Sequence, residues 1–305
     1  MKQIMIYVAV MLATMVNAQA QVLQVKGMQR LDVPVQNDAV LQAVAISPQG
    51  DYLLLSTHSK QGLVKWDIAS RTATTLTNDE GAGSDVHISA DGKQIVYNEA
   101  TYKNKRRHNA VKAVDASGSK RQTLVKATRH LQGFSLEGST AAVMRDGKLS
   151  LHVLQGKKTS PTPPVLTHHH LKLYVTMPDG KTTMLAPNGA DERYIWASLS
   201  PDGDKVLYHV SGRGTFVCSI NGTNVIAMGN LLAPKWWDDN TVVGMHEVDN
   251  GMTIVASSVA ARTLQGIEQT LTGDDVIATY PLPSHESGTI AFSTPDGSIY
   301  MLTVE

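Results

Sequence analysis

The sequence predicts an all-β fold, a six-bladed β-propeller whose last blade is completed by a strand from the N-terminus. Three observations predict it. Six tight turns recur at Ser47–Gly50, Ser89–Gly92, Ser135–Gly138, Ser200–Gly203, Trp237–Asn240 and His285–Gly288, each joining two β-prone runs. Four of the five intervals between them span about 36 to 49 residues, the period of one multi-stranded blade. The final unit holds only three β-prone runs, while the run from Val22 to Val33 has no unit of its own. Placing that orphan run on the edge of the final unit closes the ring and covers an exposed sheet edge.

The fourth repeat justifies the pattern best. Tyr194–Ser200 alternates as a strand, Pro201-Asp202-Gly203 turns the chain, and Lys205–Val210 runs back. Ser211–Gly214 leads into Thr215–Ile220, and Asn221-Gly222, a strong hairpin signal, precedes Asn224–Ala227. The first repeat follows the same order through Ala43–Ile46, Tyr52–Ser56, Leu63–Ile68 and Thr72–Leu76. The third interval, Gly138 to Gly203, is long at about 65 residues, against the usual propeller period. Pro161, Pro163 and Pro164 remove backbone donors, so Gly147–His170 reads as a protruding insert in the third blade.

Before the repeats lies a leader-like segment. Lys2 is followed by an apolar run from Ile4 to Val16, and Asn17–Ala20 ends in the small-x-small pattern of a signal-peptidase site. The run falls short of the roughly 20 apolar residues a spanning helix needs, so residues 1–20 read as a signal and 21–305 as the propeller. Cys218 is the only thiol, which excludes an intramolecular disulfide. Lys plus Arg and Asp plus Glu each total 27, and this balance argues against a nucleic-acid partner.

The pattern Ser-Pro-Asp-Gly, an apolar strand ending in Tyr, a Gly turn and a further strand closing on Asn-Gly runs from Ser200 to Gly222. It recurs from Ser89 to Tyr97 and from Thr289 to Thr303. It resembles the TolB-type, WD-like propeller repeat. The resemblance covers most of Gln21 to Glu305 and implies a binding platform in the periplasm of a bacterial envelope. TolB carries an α/β domain before its propeller, whereas about 25 residues precede the first repeat here, few by the standard of a folded domain.

Catalytic motifs are sparse. Gly133–Gly138 has one residue too many for a nucleophile elbow. His246-Glu247 and His285-Glu286 lack the second His of a zinc helix, and no phosphate-cradling glycine loop precedes a helix. Cys218 falls within an alternating strand and reads as a buried filler. His168-His169-His170 and the basic run Lys103 to His108 read as solvated loops. No catalytic residue, metal or cofactor is assigned.

The connections between blades hold the most suggestive side chains. They carry Asp38; Asp79, Glu80 and Asp85, with His87 just beyond; Arg129 and His130; Asp191, Glu192 and Arg193, with Trp196 beyond; Lys235, Trp236 and Trp237; and Asp274 and Asp275. Equivalent loops of a ring emerge on one face, so these residues are expected at one mouth of the central channel, where their field would attract a partner. The expected function is a monomeric, periplasmic or secreted platform for a protein or peptide, with no chemistry of its own. The alternative is a metal-assisted carbohydrate lyase or hydrolase using His87, His130 and the acidic loops.

Overall fold

The structure is a computed structural model that describes residues 22–33, 40–154, 164–249, 251–259, 268–273 and 275–305. The expected signal, with Asp38, Asp274 and the prolines at 161 and 163, lies outside the described residues.

Alternating β-branched and aromatic runs separated by glycine turns give strands, and these form seven antiparallel sheets. After β1 (Val25–Leu31), blade 1 is β2 (Leu41–Ile46), β3 (Tyr52–Thr57), β4 (Leu63–Asp67) and β5 (Thr72–Thr77). Blade 2 is β6 (Val86–Ile88), β7 (Gln94–Lys103), β8 (Arg106–Asp115) and β9 (Arg121–Thr128). Blade 3 holds β10 (Leu131–Glu137), β11 (Thr140–Arg145) and β12 (Lys148–Val153), and blade 4 holds β13 (Val165–His169), β14 (Lys172–Thr176) and β15 (Thr182–Leu185). Blade 5 is β16 (Tyr194–Leu199), β17 (Lys205–Val210), β18 (Gly214–Ser219) and β19 (Ile226–Gly229). Blade 6 is β20 (Leu232–Trp236), β21 (Thr241–Val248), β22 (Gly251–Ser258) and β23 (Glu268–Thr270). Blade 7 is β24 (Thr279–Ser284), β25 (Thr289–Ser293) and β26 (Ile299–Val304), with β1 paired antiparallel on the outer edge of β26.

The ring therefore has seven blades, and the six-bladed expectation is wrong. The stretch read as an insert in the third blade supplies the outer strand β12 and the inner strand β13 of a separate blade. That blade was hidden because its first hairpin has no glycine. His170 and Leu171 make the turn in left-handed conformation, at φ 50° and 61°, where glycine or asparagine is the usual sign. The neighbouring Pro164 strengthened the loop reading.

The first strand of each blade is innermost, and successive inner strands β2, β6, β10, β13, β16, β20 and β24 neighbour one another until β24 returns to β2. Side chains of the second strands alternate between the two flanking seams. Leu53 and Leu55 pack toward blade 7 while Tyr52 and Leu54 pack toward blade 2, and Ala141 and Val143 face blade 2 while Ala142 and Met144 face blade 4. Serines fix the recurring turns. Ser89 Oγ accepts the Gln94 amide at 2.9 Å and donates to Asp91 Oδ1 at 2.6 Å, and Ser47 Oγ repeats this with Tyr52 and Asp51. The turns also tie blades together: Gln49 Nε2 donates to Ala90 O at 2.8 Å and Glu286 Oε2 at 3.1 Å.

Val165 is fully buried in the small seam between blades 3 and 4, with Ala142 and Met144. Val165→Asp places a carboxylate there without a partner and is expected to destabilise the fold by roughly 3–5 kcal/mol. Denaturant unfolding checks this; an unchanged midpoint would mean residues 165–169 are surface loop.

Candidate binding site at the central channel

The inner strands border the channel, and five of them are bulged. Register slips occur in β2 between Ala43 and Ala45, in β10 between Leu131 and Gly133, in β16 between Ile195 and Ser198, in β20 between Leu232 and Lys235, and in β24 between Thr279 and Leu282. Three of these bulges, on consecutive blades 5, 6 and 7, hold a non-glycine residue in left-handed backbone: Trp196 at φ 51°, Ala233 at 45° and Tyr280 at 53°. Such backbone is strained by about 1–3 kcal/mol per residue and persists only where packing over-determines it. Here the freed groups find partners. The Tyr280 amide donates to Met245 Sδ at 3.1 Å, and the Trp236 indole donates to Ser198 O at 3.3 Å across the blade 5 and 6 seam.

Trp196 and Tyr280 are left 42% and 58% exposed. The Trp196 ring meets buried His209 edge-on at 5.2 Å. His209 Nδ1 lies 3.0 Å from Thr215 Oγ1 and 3.1 Å from Leu231 O, and burial pushes its pKa down.

A carboxylate ahead of blade 2 also lies within range of basic side chains on blades 4 and 6. His87 Nε2 lies 3.1 Å from Asp85 Oδ1, and the His87 ring packs edge-on against Phe134 at 5.1 Å. Asp85 lies within electrostatic range of both Lys235 on β20 and His168 on β13. Lys235 is exposed; desolvation by neighbouring protein pushes its ammonium pKa down, and Asp85 pulls the other way. His168 is pushed down by desolvation in the same manner, again against Asp85.

The other residues singled out from sequence are placed elsewhere or stand apart. Asp79 accepts from Lys112 Nζ at 2.9 Å and Tyr97 Oη at 3.0 Å, and Lys112 also bridges to Glu99 at 2.8 Å. Burial opposes the Asp79 charge, but these hydrogen bonds prevail and hold its carboxyl below the usual range. Glu192 pairs with Arg213 at 2.6 Å and His130 with Asp146 at 3.3 Å. Glu80, Arg129, Asp191, Arg193 and Asp275 are exposed, and Trp237 is buried edge-on to His285 at 5.3 Å. Cys218 is buried, and desolvation pushes its thiol up to about 12, out of nucleophile range. Among the described residues no group of three or more His, Cys, Asp or Glu is placed to hold a metal ion.

Sequence reasoning missed Tyr280 and read His168 as solvated loop, whereas it is an exposed residue of strand β13. A signal for the bulges was present: Pro234 and Pro281 sit inside strand patterns, where proline is confined to edges and bulges.

No family profile matches the chain, and no curated protein matches it. Solved structures do, at the level of fold. The WD40 repeats of RRP9 superpose with a TM-score of 0.62 at 7% identity, covering 93% of this chain and all of theirs. TolB from Acinetobacter baumannii gives 0.51 at 15% identity, over 77% of this chain and 55% of its own, so the chain spans about half of that protein. An oligogalacturonate lyase in complex with manganese gives 0.49 at 12% identity, over 85% of this chain and 76% of its own, too low to speak for activity or ligand. The chain is a β-propeller with TolB proteins among its structural neighbours.

Two outcomes follow. Asp79→Asn removes the charge that Lys112 and Tyr97 hold and is expected to lower stability by about 1–2 kcal/mol; an unchanged denaturation midpoint would reduce the network to surface decoration. The His209 pKa is depressed in the folded state, so its contribution is fully present above the unfolded value of about 6.5 and is lost as pH falls from there through the lower folded value. His209→Gln is expected to flatten the drop in melting temperature between pH 7.5 and 5; parallel curves for the two proteins would exclude this origin.

Proposed function

We propose that the chain is exported by a signal at 1–20, cleaved near Ala20, and that residues 21–305 act in the bacterial periplasm or outside the cell. There the propeller serves as a non-catalytic, monomeric platform for a protein or peptide. The observation that carries this reading is the pair Trp196 and Tyr280. Large aromatics in strained backbone on two inner strands, left exposed, are costly for a fold to keep and are the residue types that dominate interface energies. The exposed Glu80, Arg129, Asp191, Arg193 and Asp275, with Glu192, would form a charged surround that steers encounter. Export rests on the Lys2 to Ala20 pattern, and no helix among the described residues is long and apolar enough to cross a membrane.

The test is capture from the native envelope fraction by immobilised wild type and by W196A/Y280A. A partner held by wild type and weakened more than about tenfold in the double variant, with an unchanged melting curve, supports the reading. Equal capture by both proteins overturns it.

A further inference from the structure

Blade 2 carries an arm that takes no part in the channel site. β7 and β17 each begin two residues after the glycine of their turn, Gly92 and Gly203, yet β7 runs ten residues and β17 six. At about 3.3 Å per residue, the extra length carries a two-stranded ribbon of β7 and β8 roughly 13 Å beyond the end of a six-residue strand. Burial stops where the ribbon leaves the ring. Ala100 and Ala110 are buried, and every residue from Thr101 to Arg107 is exposed.

The arm is cationic throughout. Between Glu99 and Asp115 there is no acidic residue, while Lys103, Lys105, Arg106 and Arg107 cluster at the tip, in a chain whose formal charge is zero. Among the described residues none of these four forms an ion pair, in contrast to Lys112 at the base, which Asp79 holds at 2.9 Å and Glu99 at 2.8 Å. Lys103 stands directly opposite Arg106 in the ladder, a like-charge pair that works against strand pairing. Asn104 and Lys105 turn the ribbon in left-handed backbone, at φ 51° and 60°, and Lys105 takes the place where glycine is usual. The tip therefore keeps its charge at the expense of its own stability.

The geometry also selects the partner. Side chains alternate along a strand, so Lys103 and Arg106 fall on one face of the ribbon and Tyr102 and Arg107 on the other. Cations on both faces of a narrow projection suit an extended negative plane rather than a shaped pocket. Tyr102, opposite Arg107 and 60% exposed, is a residue type that settles at the headgroup level of a bilayer. The acidic side chains of the ring do not cancel the tip. Glu80, whose carbonyl accepts the Ala100 amide at 2.7 Å, marks the base of the arm. Lys103 lies three residues further out, about 10 Å at strand rise and beyond the Debye length of ~8 Å at physiological salt.

We propose that the β7–β8 arm docks the propeller on an anionic phospholipid surface, with Lys103, Arg106 and Arg107 as its charge contacts and Tyr102 at the headgroup level. The arm lies on blade 2, whereas Trp196 and Tyr280 lie on blades 5 and 7, so this does not rest on the platform reading.

Co-sedimentation of the full chain with vesicles of phosphatidylcholine alone, and of phosphatidylcholine mixed with phosphatidylglycerol, tests the arm. Wild type is expected to bind the mixed vesicles more tightly and to lose that excess as salt is raised. At roughly fivefold per charge, K103Q/R106Q/R107Q is expected to weaken binding to mixed vesicles at least tenfold. Its melting temperature should not fall, because a like-charge pair is removed. K93Q/K120Q/R121Q takes the same charge from exposed residues at the far end of blade 2 and is expected to bind as wild type. The apolar run Ile4–Val16 is common to all three proteins and produces no difference among them. The proposal is overturned if the two kinds of vesicle bind alike, if the arm variant binds as wild type or melts well below it, or if both variants weaken equally. It is also overturned if wild type binds polyglutamate or duplex DNA and leaves the mixed vesicles unbound.

Discussion

Burial on both faces of each blade's second strand is the constraint on which the rest of this structure depends. Leu53, Leu54 and Leu55 are consecutive and all fully buried, yet they face alternate seams. No blade has a core of its own. Each core is the contact between two neighbours, seven of them around the ring, so a blade is stable only when both neighbours are present. Closure by β1 on β26 is the step that gives blade 7 its outer strand. Gln269 reinforces it from blade 6 by accepting the Leu23 amide at 2.9 Å.

The same constraint explains where strain can be kept. A bulge in a lone hairpin would relax, because nothing opposes it. In β16, β20 and β24 the strand is fixed by its own sheet and by the blade on either side, so left-handed backbone at Trp196, Ala233 and Tyr280 is held in place. The contact of Trp196 with His209, itself tied to Leu231 of the next blade, shows one seam and one bulge holding each other.

Much of the architecture was legible because the ring repeats its turn chemistry. The serines at 47, 89 and 200 each accept an amide across their own turn, which is the physical content of the Ser-x-x-Gly signal. The orphan N-terminal run was legible because a closed ring leaves no edge. Blade 4 was not, since His170-Leu171 makes a turn that glycine would normally mark, and a proline precedes its inner strand. At the channel, loop position alone placed Asp79 at the mouth, but a carboxylate follows its nearest cation, and Lys112 of blade 2 draws it into a seam network. Of the residues singled out, Asp85 lies in the connection ahead of β6, and Lys235 and Trp196 lie on the inner strands β20 and β16. The relation of Asp85 to His168 was not readable, because it depends on a blade the turn signals did not reveal.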